Sequence, residues 1–126
     1  SFAEVEALAS VEIATSTPWT SGVVRFSGPL LETLAALEPD ALGGGAPVEA
    51  RLQALNDYSI EVPAEDWQRL DVVLASRADG ERMRVRDRGP FWLVYPLDSD
   101  AALQTQRYHA RMIWQVRRVA FVVAGP

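Results

Sequence analysis

Arginine recurs at every second position from Arg82 to Arg88 in the stretch ERMRVRDRGPFWLVYP, Glu81 to Pro96. On a strand this spacing sets Arg82, Arg84, Arg86 and Arg88 on one side, with Met83 and Val85 on the other. A guanidinium recognises oxyanions and planar polar edges through paired hydrogen bonds. Arg82 and Arg84 lie near a turn, where charged residues ordinarily solvate a hairpin and blunt its edge. Arg86 and Asp87 stand just ahead of Gly89-Pro90 and an apolar run. A partly desolvated pair is expected there, holding a polar ligand edge or pinning the turn. Two other polar interruptions invite the same question. Asn56-Asp57-Tyr58 breaks an apolar alternation, either as a turn or bulge or as a ligand contact. Thr17-Pro18-Trp19 sets an aromatic on a polar loop, as a plug on the core or a stacking platform; the plug is favoured.

Other chemistries are bounded by what the chain carries. Its 126 residues include no cysteine, which excludes disulfides, thiolate metal sites and a Cys nucleophile. His109 is the single histidine, so a His-rich metal site is excluded. No Gly-x-Ser-x-Gly elbow supports a serine triad. The carboxylates are scattered, and no spacing picks out an acid/base pair. All 12 basic residues are arginines, yet the net charge is −5, which argues against nucleic acid as the main partner.

The elements that must position these residues are mostly strands. A capping-box spacing at Ser1 to Glu4 predicts a short helix to about Ala9. Val11 to Ala14 alternates as a strand, and Gly22 to Phe26 is a second. Pro29 opens a helix whose Leu30, Leu31, Leu34 and Leu37 share one face up to Glu38. Val48 to Ala54 alternates as a half-buried strand, and Tyr58 to Val62 is another. Pro63 starts a short helix through Trp67, and Val72 to Ser76 is a strand. Asp79-Gly80 is a hairpin turn with Arg82 to Arg86 as its return strand. Phe91 to Tyr95 is a buried strand, Leu97 to His109 an irregular loop, and Met112 to Val123 a last strand long enough to need a bend or bulge. One β-rich α+β domain over residues 1–126 is expected, a mixed sheet or barrel with two or three short helices. The longest apolar run is far too short to span a bilayer, so no direct membrane insertion is expected.

Four segments, in this order, resemble the molybdopterin-binding domain of the sulfite-oxidase type. They are ALNDYSIEVP (54–63), VLASRADG (73–80), VRDRGPFWLVYP (85–96) and YHARMIWQVRRVAF (108–121). Upstream, TSTPWTSGVVRFSGPLLETLAAL (15–37) is similar to the family's first half, where a Trp-containing loop precedes a strand and a helix. In that family's enzymes a cysteine just before the Trp ligates molybdenum. Here that place falls at about Thr15 to Thr17, and a hydroxyl is a poor substitute for a soft thiolate. The chain is therefore more similar to the small stand-alone branch that lacks this cysteine, exported bacterial proteins regarded as pterin-binding.

The resemblance implies a pterin-sized cleft, a pterin ligand and no molybdenum. It also implies periplasmic export, with the leader removed ahead of Ser1, and a membrane signalling protein as partner. A pterin edge offers N–H donors to a carboxylate, Asp57 or Asp87, between which the sequence does not choose. Arg86 and Arg111 are candidate donors to its carbonyl or ring nitrogen, and Trp19 or Tyr95 candidate platforms. Asn56, Tyr58 and His109 complete the candidate contacts. The leading expectation is thus a non-catalytic sensor. The alternatives are a molybdopterin-dependent oxidoreductase subunit and a ligand-free interaction module.

Overall fold

The structure is a computed structural model and describes residues 8, 10–36 and 47–123. Strands β1 (Val11–Ser16) and β2 (Val23–Gly28) pair antiparallel along their whole length, from Val11 opposite Gly28 to Ser16 opposite Val23. Two short strands, β6 (Arg77–Ala78) and β7 (Glu81–Arg82), extend this sheet in the order β1-β2-β6-β7. Asp79 and Gly80 both have positive φ, 51° and 86°, as the tight turn of a hairpin requires. A second sheet orders β4 (Ser59–Pro63), β3 (Pro47–Ala54) and β9 (Val116–Val123). A third pairs β5 (Val73–Ala75) with β8 (Trp92–Val94). The chain is α+β and strand-rich, its sheets are open and not closed into a barrel, and every pairing among the described strands is antiparallel.

Period-2 patterning explains β3. Ala50, Leu52 and Ala54 are buried while Arg51 between them is exposed. Across the ladder Leu52 faces Ile60 on β4 and Val119 on β9, so one face of three strands closes the core. The strands β5 and β8 are buried at every position and fill the centre with Val73, Leu74, Trp92, Leu93 and Val94. Gly28 at the end of β2 is needed for close approach. A Cβ there would strike the backbone carbonyl of Leu74, against which β2 packs.

Three short helices cover the strands. Helix α1 (Leu31–Ala36) follows Pro29 and buries Leu31 and Ala35. Leu30 itself bridges Val73, so the helix begins one residue later than its apolar stripe suggests, and residues 37–38 lie outside the described part. Helix α2 (Ala64–Arg69) starts from Pro63 and buries Ala64, Asp66 and Trp67. Helix α3 (Gln106–His109) is a single turn. Together with 3-10 turns at Leu97–Ser99 and Ala101–Leu103, it gives form to the stretch expected as irregular loop. The helix expected at Ser1 to Ala9 falls almost wholly outside the described residues.

The arginine stretch departs most from expectation. Only Glu81–Arg82 pairs as a strand. After the buried Met83 the chain turns through a 3-10 helix at Val85–Asp87, and Arg88 takes a left-handed φ of 77°. The Arg84 carbonyl accepts from both the Asp87 N–H (2.8 Å) and the Gly89 N–H (2.7 Å), which folds the segment back on itself. A side chain at Gly89 would collide with the Met83 carbonyl, so the fold-back depends on glycine there. The Gly89-Pro90 bond is cis. The alternation therefore does not build a row on one strand face. The last strand is likewise shorter than its apolar pattern, because the bend falls at Gln115, with φ 54°, and β9 begins at Val116.

Candidate ligand cavity

A cavity of about 630 Å³ opens where three connecting segments meet. The first is the β1–β2 loop. There the Thr17 hydroxyl accepts from the Trp19 N–H (3.2 Å) and lies 3.0 Å from the Thr20 hydroxyl. This local hydroxyl network fixes the loop and directs Trp19 onto the core. The second is the turn after β3. Asp57 sits at φ 68°, a region that Asp tolerates better than most residues, and its N–H donates to the Ala54 carbonyl (3.0 Å). The Asn56 side-chain oxygen accepts from the Tyr58 N–H (3.1 Å), an Asx turn. The third is the segment from α3 to Gln115. Backbone bonds from Leu93 to Ile113, Gln115 to Arg88 and Val116 to Phe91 sew it to the strand below.

Aromatic edges build the floor. Trp19 meets Trp114 edge-on at 5.1 Å and 77°, and also meets Trp92 (6.1 Å) and His109 (6.2 Å). The Trp92 indole N–H donates to the Met112 carbonyl (3.1 Å). The Arg88 guanidinium lies 5.4 Å from the Trp92 ring and 5.1 Å from the Trp114 ring, so its charge is directed at indole faces. His109 Nε2 is buried with no hydrogen-bond partner. Among the described residues, Asn56, Tyr58, Gln106, His109 and Gln115 supply the polar atoms of the lining, and no Arg, Asp or Glu is among them.

Beside the cavity lies a buried ionic group. Asp66 on α2 accepts on Oδ2 from the Tyr95 hydroxyl (2.6 Å) and from Arg111 Nη1 (2.7 Å). Burial, and then the hydrogen bond to Asp66, push the Tyr95 hydroxyl far above its ordinary pKa, so it stays a donor. Arg111 also lies over the Tyr108 ring at 5.5 Å. This group fixes the end of α3, which carries Gln106 and His109 to the cavity.

Of the residues proposed from sequence, Trp19, Asn56, Tyr58 and His109 come together on the cavity wall. Asp57 stands in the same turn, but its carboxylate is held outside by Arg117 (2.9 Å) and Gln53 (3.3 Å). Arg86 is exposed on the 3-10 turn, and Asp87 is exposed and paired with Arg84 (2.8 Å). Tyr95 is a core residue, not a platform, because its ring and hydroxyl are both enclosed. Arg111 is committed to Asp66. The sequence reading missed Trp114, Gln115, Gln106 and Asp66. Trp114 had a visible signal, an aromatic between an apolar pair and the Gln115 bend. Asp66 had none, since its partners are 29 and 45 residues away.

The hydroxyls of Thr15 and Thr17 are already engaged. Thr15 Oγ1 donates to the Ser16 carbonyl (2.9 Å) and accepts from the Asp98 N–H (3.1 Å), while Thr17 Oγ1 closes its own loop. No cluster of three or more His, Cys, Asp or Glu that could hold a metal occurs among the described residues. None of the described helices is long and apolar enough to cross a membrane. No protein-family model matches the chain, and no curated protein matches it.

Proposed function

We propose that the chain is a non-catalytic binding protein for a small pterin, held in the cavity between Trp19, Asn56, Tyr58, His109 and Trp114. The observation that carries this reading is the cavity itself. Its volume of about 630 Å³ falls within the range of small-molecule sites, and its walls combine indole surface with a few neutral polar groups. A flat heteroaromatic ring exchanges water for indole contact there and keeps partners for its polar edge. The resemblance to the molybdopterin-binding domain adds the pterin and supports reading the open antiparallel sheets as a variant of the sulfite-oxidase type. The same resemblance supports export to the periplasm and a sensor role, in which a membrane signalling protein reads the loaded state.

The carboxylate–arginine clamp expected from sequence is replaced in this proposal by carboxamides, because Asp57, Asp87, Arg86 and Arg111 do not line the cavity. An oxidoreductase reading needs a soft ligand at residues 15–17, where the side chains are hydroxyls bound to neighbours. Calorimetric titration with oxidised and reduced pterins tests the proposal. One-to-one binding at about micromolar affinity or tighter, lost in Trp19→Ala with the fold intact, is the expected result. No heat from a folded sample with any pterin refutes it and leaves the interaction module. Recovery of no ligand-dependent partner from membranes would remove the sensor role alone.

A further inference from the structure

We infer that the cavity selects an uncharged ring with a lactam edge, a carbonyl beside a ring N–H, and that a phosphate ester on the ligand has no place in it. This deepens the pterin reading and rests on it for the ring skeleton alone. Two hydrogen bonds fix which way two of the wall's three carboxamides face, Asn56 and Gln115. The Asn56 oxygen is taken by the Tyr58 N–H (3.1 Å), so Nδ2 is the group left to donate. Gln115 Nε2 is taken by the Val85 carbonyl (2.6 Å), so Oε1 is the group left to accept. The Leu55 N–H donates to the Gln115 carbonyl (2.9 Å), which joins the segments bearing the two amides. One donor and one acceptor on adjoining segments complement a carbonyl next to an N–H.

Charge excludes the phosphate. No arginine lines the cavity among the described residues, and the chain has no lysine. Three arginines around it are committed: Arg111 to Asp66, Arg117 to Asp57, and Arg88 to the indoles of Trp92 and Trp114. A phosphate entering between Trp19 and Trp114 would lose water and meet indole surface with no arginine among the lining residues.

Titration of tryptophan fluorescence with three probes tests the inference: 6-hydroxymethylpterin, its monophosphate ester and guanine, which shares the lactam edge on a different ring. The free pterin should bind at least about tenfold tighter than the ester. Asn56→Asp keeps the oxygen that accepts from Tyr58 but replaces the donor. It should lower affinity for the free pterin and for guanine at least about tenfold, with the unfolding midpoint unchanged. An ester that binds as tightly as the free pterin, or an Asn56→Asp variant that binds like the wild type, overturns the inference and leaves the pterin reading in place. Guanine binding without any pterin binding sinks the pterin reading and sustains the lactam edge. Binding of none of the three overturns both.

Discussion

Replacing Tyr95 by Phe removes one oxygen from a buried ionic group. Tyr95 is 0% exposed and Asp66 4%. The hydroxyl and Arg111 both donate to the same carboxylate oxygen, at 2.6 and 2.7 Å. A hydrogen bond to a charged group contributes about 1.5–3 kcal/mol, and Phe fills the same space, so Tyr95→Phe should cost that amount. Asp66→Ala strands both partners at once. Breaking a buried ion pair costs about 3–5 kcal/mol, and the lower end applies because the Arg111 side chain, 23% exposed, keeps a route to water. In the double variant no buried hydroxyl is left orphaned, so its cost should fall short of the sum by about 0.5–3 kcal/mol. Urea unfolding with equal m-values measures all three. A Tyr95→Phe cost below about 0.5 kcal/mol, the scale of an ordinary surface change, or strict additivity in the cycle refutes this account of the network. The pH dependence supplies an independent check. The Tyr95 pKa is raised on folding, so its contribution is full below the unfolded value of about 10 and is lost as pH rises above it. The wild type should therefore lose stability above about pH 10, a loss that Tyr95→Phe lacks.

Three further outcomes are expected. The Ser16 hydroxyl and then its N–H hold the Asp98 carboxyl below the usual carboxylate range. Its contribution is therefore present above the unfolded pKa of about 3.9 and disappears as pH falls through the lower folded value. The Tm gap between wild type and Asp98→Asn should be steady at neutral pH and close in acid. Gly28→Ala sets a Cβ against the Leu74 backbone carbonyl, which cannot rotate away, so a loss near the upper end of about 1–3 kcal/mol is expected in urea unfolding. Asp57→Asn and Asp87→Asn each break one exposed ion pair, and both should change stability by less than about 1 kcal/mol and leave pterin affinity unchanged in calorimetry.

Where local rules decide, the residues announced their structure. The alternation of Ala50, Leu52 and Ala54 with charged neighbours is the inward face of β3, and Asp79-Gly80 is a hairpin turn because both positions need positive φ. The polar break at Asn56-Asp57-Tyr58 and the loop at Trp19 both reach the cavity, since such breaks are where an alternating strand must end. The arginine spacing misled because alternation records a preference of the backbone, and a tertiary contact overrode it. Gly89 packs on the Met83 carbonyl, and the chain can reach that contact only by turning at Val85–Asp87. Tyr95 and Arg111 were singled out as ligand contacts for their chemistry. Each does bind a polar group, but the group is Asp66, far away in the chain and invisible to any local pattern.

The arginines also explain how a chain with 12 of them leaves a cavity that none of them lines among the described residues. Three of those near the cavity have other partners. Arg111 meets a buried carboxylate, where a low dielectric makes the attraction strong and removal of either side costly. Arg117 is taken by Asp57, whose left-handed turn holds the carboxylate outside the wall. Arg88 faces two indoles, so its charge supports the aromatic floor from a position outside the lining. Asp57 and Asp66 thus hold Arg117 and Arg111 outside the lining. Their carboxylates anchor the surrounding cations, and the lining carboxamides are left to read a ligand by hydrogen bonds alone.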